Sequence, residues 1–162
     1  MRIGVIGAGV VGSAIARSYL EWADVRVHDI VEAKATHSLE DTLDTDLVFV
    51  ALPTPQKEGS LECDTSFVDD FFASVADRST CFVLRSTVPV GTTSRLRTEH
   101  GLYNLIHSPE FLTARTAFVD AQLPARNIIG SPARCKTKVL LANLYSTRFP
   151  GVPIYHMTPS ES

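Results

Sequence analysis

Apolar and polar positions fall in blocks along this chain, with short apolar runs followed by stretches of helical spacing. Arg2–Ile6 reads as a buried strand, and Ser13–Glu21 carries apolar residues at helical intervals. Val25–His28 is a second short apolar run, closing on Asp29. Ile30–His37 has room for a turn or two of helix, and Ser38–Asp41 resembles a capping box that opens a short helix. Leu47–Leu52 is continuously apolar and rich in β-branched residues, the pattern of a parallel strand buried on both faces. Pro53-Thr-Pro55 ends it, because proline cannot donate to a strand ladder. Gln56–Asp64 reads as a loop, and Phe67, Val68, Phe71, Phe72 and Val75 then share one helical face. Cys81–Leu84 predicts another buried strand, Thr92–Glu99 a helix, Leu105–Ile106 a short strand and Asn127–Gly130 one more. Pro132 is placed to start a helix reaching about Thr147, with Val139, Leu140, Leu144 and Tyr145 as its apolar stripe. Val152–Met157 predicts a final strand. Strands alternating with helices predict an α/β, doubly wound, mostly parallel sheet. The 162 residues suffice for one domain of ordinary size, expected to span 1–162.

The first turn of that sheet is chemically informative. Gly7-Ala-Gly9-Val10-Val11-Gly12 follows the first strand at once and leads into the first helix. Gly7 permits a tight turn, Gly9 lets backbone approach a pyrophosphate, and Gly12 lets helix and strand pack closely. The helix N-terminus offers free N–H groups and partial positive charge to a diphosphate. Asp29 ends the second strand, where a carboxylate accepts hydrogen bonds from ribose hydroxyls and repels a 2′-phosphate. Strand, glycine turn, helix, strand and acid in this order predict a Rossmann-like dinucleotide site that prefers NAD to NADP. A methyltransferase site for S-adenosylmethionine uses a similar turn and acid, and a turn that only packs helix on sheet is the plainest reading.

Composition narrows the partners. Hydrophobic content of 44% with 20% charged residues is that of a soluble globular domain. The apolar runs are strand-length, so no membrane span is expected. A net charge of −3 without a Lys/Arg cluster argues against nucleic acid. No signal peptide is visible, and a cytoplasmic location is expected. Cys63, Cys81 and Cys135 are widely spaced and suggest neither a disulfide framework nor a metal site.

The polar residues at the strand ends carry a resemblance. Leu52-Pro-Thr-Pro55, Arg85-Ser-Thr-Val-Pro-Val-Gly-Thr92 and Ser108-Pro-Glu-Phe-Leu112 follow the glycine turn in order, and Ala117, Asp120, Pro124, Arg126 and Ile129-Gly130 continue the pattern. Together they resemble the N-terminal, NAD-binding domain of the UDP-glucose/GDP-mannose dehydrogenase family over nearly the whole chain. The resemblance implies oxidation of a nucleotide-sugar primary alcohol to a carboxylate with two NAD per substrate, through a thiohemiacetal and a thioester on a cysteine. It implies cofactor contacts from Gly7, Gly9, Val10, Val11, Gly12, Asp29, Lys34, Leu52, Pro53, Thr54, Ser86 and Thr87. It further implies that Thr87 helps hold a catalytic water and that Glu110 serves acid–base chemistry and thioester hydrolysis. Plainer readings stand beside these. Thr87 caps a strand end, Glu110 is a solvated loop charge, and Lys34 is a solvated lysine. His107 is a core or edge histidine with no assigned role, and Arg85 pairs with a carboxylate such as Asp64.

Three departures from the family pattern matter. Ala114 stands where the family usually has a second glutamate. The segment between Asp29 and Asp46 is short, which trims the sheet edge beside the adenosine pocket. The pattern also stops before the family's long central helix and the second domain that bears the nucleophilic cysteine, and the three cysteines present lie in other contexts. The expectation is a domain that binds NAD weakly and is incomplete for catalysis alone. A nucleotide sugar would be engaged only with the missing part, and self-association or a complementing chain would cover its exposed face. The alternatives are a non-catalytic dinucleotide-binding regulator derived from the family, and a domain of the beta-hydroxyacid dehydrogenase type. The latter does not call for the Arg85–Thr92 and Ser108–Leu112 segments.

Overall fold

A computed structural model describes residues 1–162. The strands are β1 (Arg2–Ile6), β2 (Asp24–His28), β3 (Leu47–Val50), β4 (Phe82–Leu84), β5 (Leu105–His107), β6 (Asn127–Gly130) and β7 (Ile154–Met157). The helices are α1 (Val10–Tyr19), α2 (Leu39–Leu43), α3 (Ser66–Ser74), α4 (Thr92–Glu99), α5 (Ala117–Gln122) and α6 (Lys136–Arg148), with a 3₁₀ turn at Glu32–Lys34. The strands form one sheet in the order β2-β1-β3-β4-β5-β6-β7. Every neighbouring pair is parallel except β5 and β6, which meet antiparallel at His107 and Gly130. The expected α/β, mostly parallel, Rossmann-like architecture is therefore present.

Side-chain alternation divides the core in two. Leu47, Phe49 and Val83 face α1 and α6, where Ile15, Tyr19, Leu141 and Phe149 complete one cluster. Val48, Val50, Phe82 and Leu84 face the other way, onto Val68 and Phe72 of α3 and Leu96 of α4. β3 is buried at all four positions, as its unbroken apolar run requires.

Local differences have physical reasons. α1 starts at Val10 rather than Ser13, because Ser13 N–H already donates to the Gly9 carbonyl and the helix grows out of the glycine turn. At α2, Ser38 accepts from the Asp41 N–H at 3.1 Å, and its hydroxyl donates to the Asp41 carboxylate at 2.5 Å. That is a capping box closed through the shorter acid. α6 begins at Lys136, not Pro132, and its buried face is Thr137, Leu141, Leu144 and Tyr145, while Val139 is exposed. Thr137 is tolerated inside because its hydroxyl donates to the Asn104 carbonyl. α5 is not predicted by the apolar pattern, since Phe118, Val119 and Leu123 lie on the surface.

His107 is a buried histidine at the end of β5, with Nδ1 at 3.0 Å from Ser162 Oγ and Nε2 without a partner. Burial pushes its pKa below the ordinary value, and Arg85 acts in the same direction. The folded state thus prefers the neutral ring. Its stabilising contribution is complete above about pH 6.5, the ordinary histidine value, and is lost as the pH falls below it. Denaturant midpoints measured down that range should fall in the wild type and stay flatter in His107→Leu.

Candidate functional site

The chain leaves β1 for β2 on one side and for β3 on the other, so the carboxyl ends of β1 and β3 frame a topological switch point. A crevice of about 800 Å³ opens there. Gly7 makes the turn at φ +90°, a left-handed conformation. A side chain on Gly12 would strike the Gly7 carbonyl, so helix and strand are in backbone contact. Gly9 is different, because a Cβ there would meet nothing within 4 Å and would stand in open crevice space. The N-terminus of α1 has no side-chain cap and no acid in its first turn, which leaves its amides and partial charge to a ligand.

Asp29 bolts this turn to the end of β2. One carboxylate oxygen accepts from Ala8 N–H at 2.6 Å and the other from Val31 N–H at 2.8 Å. Each oxygen keeps a lone pair for a diol. Burial on its own would raise this carboxyl, but the two backbone bonds, with Lys34 and His28 nearby, hold it below the ordinary carboxylate range. Lys34 closes the 3₁₀ turn on the same rim.

The opposite wall is a laced pair of loops. Ser86 Oγ donates to the Leu52 carbonyl at 2.8 Å, and Thr54 Oγ1 donates to the Thr87 carbonyl at 2.8 Å. The Cys63 thiol lies against the same Thr87 carbonyl at 3.8 Å and against the Thr54 carbonyl at 3.6 Å. Thr87 gives its carbonyl to this lacing, and the residue lines the crevice. Glu110 is partly buried and tied into its own loop. One of its oxygens accepts from Leu112 N–H at 2.5 Å, and the residue lines the crevice.

Gly7, Gly9, Val10, Val11, Asp29, Lys34, Leu52, Pro53, Thr54, Ser86, Thr87 and Glu110 all line this one crevice, whereas Gly12 sits behind it. Ile30, Val31, Phe67, Asp70, Phe71 and Arg85 line it too, although the sequence did not single them out as ligand contacts. The i, i+4 pair of aromatics at Phe67 and Phe71 was the available signal, and the structure leaves Phe67 half exposed where the helical pattern groups it with the buried Val68, Phe72 and Val75. Arg85 does not pair with Asp64, which instead accepts from Ser66 N–H at 2.9 Å. Its guanidinium donates to Ser108 Oγ at 2.9 Å and to the Tyr145 hydroxyl at 3.0 Å. Around Ala114, the Asp120 carboxylate gathers the Thr113 N–H at 3.0 Å and the Thr116 hydroxyl at 2.8 Å, so loop chemistry occupies that stretch.

A dinucleotide fits these residues. The clear space over Gly9 admits a diphosphate, the uncapped helix receives its charge, and Asp29 retains acceptors for a ribose. No helix is long and apolar enough to cross a membrane.

The family model described as "UDP-glucose/GDP-mannose dehydrogenase family, NAD binding domain" matches residues 26–148. The match begins inside β2, so the glycine turn is read from its geometry alone. A UDP-glucose 6-dehydrogenase of Campylobacter jejuni is 25% identical over 139 residues, covering 84% of this chain and 35% of its own. One of Streptococcus pneumoniae is 26% identical over 162 aligned residues, covering 81% of this chain and 41% of its own. The chain thus spans well under half the length of these curated relatives. A structure of a GDP-mannose dehydrogenase ternary complex from Pseudomonas aeruginosa superposes with TM-score 0.79 at 22% identity, over 99% of this chain and 47% of that one. A UDP-glucose dehydrogenase from Pyrobaculum islandicum gives 0.78 at 23% identity, over 99% and 46%.

Proposed function

Because the chain belongs to the UDP-glucose/GDP-mannose dehydrogenase family and carries its NAD-binding domain, we propose that it holds NAD along the crevice and presents Thr87 and Glu110 to the C6 alcohol of a nucleotide sugar. In this reading the pyrophosphate lies at the N-terminus of α1, over Gly9, and the adenosine ribose on Asp29 with Lys34 beside it. Leu52, Pro53, Thr54 and Ser86 wall the nicotinamide side. NAD, when bound, supplies the acceptor for the substrate's hydride. Glu110, fixed by Leu112 N–H through one oxygen, keeps the other to take or return a proton. Thr87, with its hydroxyl unused by the protein, orients a water for hydrolysis. The observation that carries the reading is that Gly9, Asp29, Thr87 and Glu110 open on one crevice though they come from four separate segments.

The covalent step needs a thiol, and none of the three cysteines lines the crevice. We therefore place the nucleophile, most of the sugar pocket and the turnover itself in protein beyond this sequence, in cis or in trans. Isothermal titration should show saturable NAD binding, with NADP at least about tenfold weaker because the Asp29 charge opposes a 2′-phosphate. No NAD binding at millimolar supply would refute the site. Mixed with a separately expressed C-terminal half of a relative, the chain should form NADH from UDP-glucose. Thr87→Ala and Glu110→Gln should each lower that rate by about a hundredfold or more while leaving NAD affinity within about threefold.

A second reading, a regulatory module that binds NAD without chemistry, is favoured by Ala114 in place of the family's second glutamate. It predicts unchanged NAD binding and no NADH in the mixing assay.

A further inference from the structure

Thr87 and Glu110 stand at matching places on neighbouring strands. Thr87 lies two residues past Arg85, which follows β4, and Glu110 two residues past Ser108, which follows β5. The strands are parallel with Leu84 beside His107, so Arg85 and Ser108 are level where the two turns leave the sheet. The last backbone bond between them runs from Ser108 N–H to the Leu84 carbonyl at 3.0 Å. No further backbone bond joins the two turns, and their spacing rests on side chains.

The side-chain network at that point closes on its own protons. One guanidinium nitrogen of Arg85, Nη1, carries two N–H groups, and it lies 2.9 Å from Ser108 Oγ and 3.0 Å from the Tyr145 hydroxyl. Ser108 Oγ gives its single proton to the Ile128 carbonyl at 2.7 Å. The Tyr145 hydroxyl, 2.9 Å from Ser108 Oγ, is therefore the donor of that pair. Ser108 accepts from Arg85 and Tyr145, and Tyr145 accepts from Arg85, so the three groups have one consistent arrangement. Ser108 is wholly buried and Tyr145 nearly so, which keeps water from competing. Tyr145 is itself packed on Phe149 with centroids 6.1 Å apart. On the far side of Glu110, the Arg126 guanidinium lies over the Phe111 ring at 4.1 Å, so the loop is held at both ends.

We infer that Arg85, Ser108 and Tyr145 are positioning residues for the chemistry assigned above to Thr87 and Glu110. They lock the Thr87 turn to the Glu110 loop, so that hydroxyl and carboxylate are presented to the same water. The chemical part rests on that reading of Thr87 and Glu110, whereas the lock does not.

Tyr145→Phe is the discriminating variant. It keeps the ring in the core, lies outside the crevice, and removes both the donor to Ser108 and an acceptor of Arg85. In the 162-residue chain, hydrogen exchange at the Ser108, Glu110 and Leu112 amides should speed up by about tenfold or more, with Ala8 and Phe49 within about twofold. NAD affinity by calorimetry should stay within about threefold. In the mixing assay kcat should fall by about tenfold or more while KM for UDP-glucose stays within about threefold. Arg85→Met, checked for folding by circular dichroism, should lower kcat at least as far, and adding Tyr145→Phe to it should cost little more, as expected of residues acting as a unit. Unchanged exchange at these three amides, exchange rising equally throughout the chain, or an unchanged kcat would overturn the assignment. A wild-type mixture that forms no NADH would instead refute the reading of Thr87 and Glu110 together with the chemical part of this inference, and the exchange result alone would then decide the lock.

Discussion

Gly12→Ala is expected to lower the unfolding free energy by about 3 kcal/mol, the upper end of overpacking costs, while Gly9→Ala leaves the fold intact and removes most of the NAD affinity. The two glycines belong to one motif but answer to different atoms. A methyl on Gly12 collides with the Gly7 carbonyl, which is backbone and cannot swing aside. Relief requires α1 to withdraw from β1, and Ile15 and Tyr19 then leave the core shared with Phe49. A methyl on Gly9 meets no protein atom within 4 Å, and the backbone there, at φ −73° and ψ −166°, suits alanine. Stability should change little, since the narrower unfolded ensemble of alanine is offset by its poorer fit at the N-cap of α1. The methyl instead occupies the space a diphosphate must enter, and NAD affinity should fall about thirtyfold, ~2 kcal/mol. Urea melts and calorimetric titrations separate the two effects. Wild-type NAD affinity in Gly9→Ala would remove the diphosphate from this turn.

Asp29→Ala should lose at least about tenfold in NAD affinity and also weaken the protein toward acid differently from the wild type. The carboxylate does two things at once, accepting the Ala8 and Val31 N–H groups and keeping acceptors for a ribose. Removal leaves two amides unpaired at the crevice rim and frees the glycine turn from β2. Asp29→Asn keeps an acceptor, so it should recover part of the stability but little of the discrimination against NADP. The sign of the pH effect follows from the depressed pKa. The stabilisation is fully present above the ordinary aspartate value of about 3.9 and is lost as the pH falls through the lower, folded-state value. Acid titration of stability should thus be less steep below about pH 4 in Asp29→Ala than in the wild type.

Much of this was legible in the linear sequence, and the reasons are specific. β3 was unmistakable because a strand buried on both faces needs an unbroken apolar run, and Thr92–Glu99 was bounded correctly by Gly91 and the end of its charged face. The glycine turn and Asp29 could be paired from spacing because the parallel βαβ unit fixes how far apart they fall. Glu110 and Thr87 came from motif resemblance, and only the folded chain places them on one crevice. α5 escaped because its apolar residues face outward, so periodicity had nothing to register. The stripe of α6 was misread because Thr137 is buried through a bond to Asn104, a carbonyl far away in the chain. The same blindness applied to Arg85, whose partners Ser108 and Tyr145 arrive from distant strands and helices.

The lacing of Ser86 to Leu52 and of Thr54 to Thr87 has one more consequence. The turns after β3 and β4 form a single stiff plate, and neither is free to drift during evolution or design without the other. Grafting a foreign turn at either place should succeed only as a matched exchange of both, and thermal fluctuations at the two should rise and fall in step.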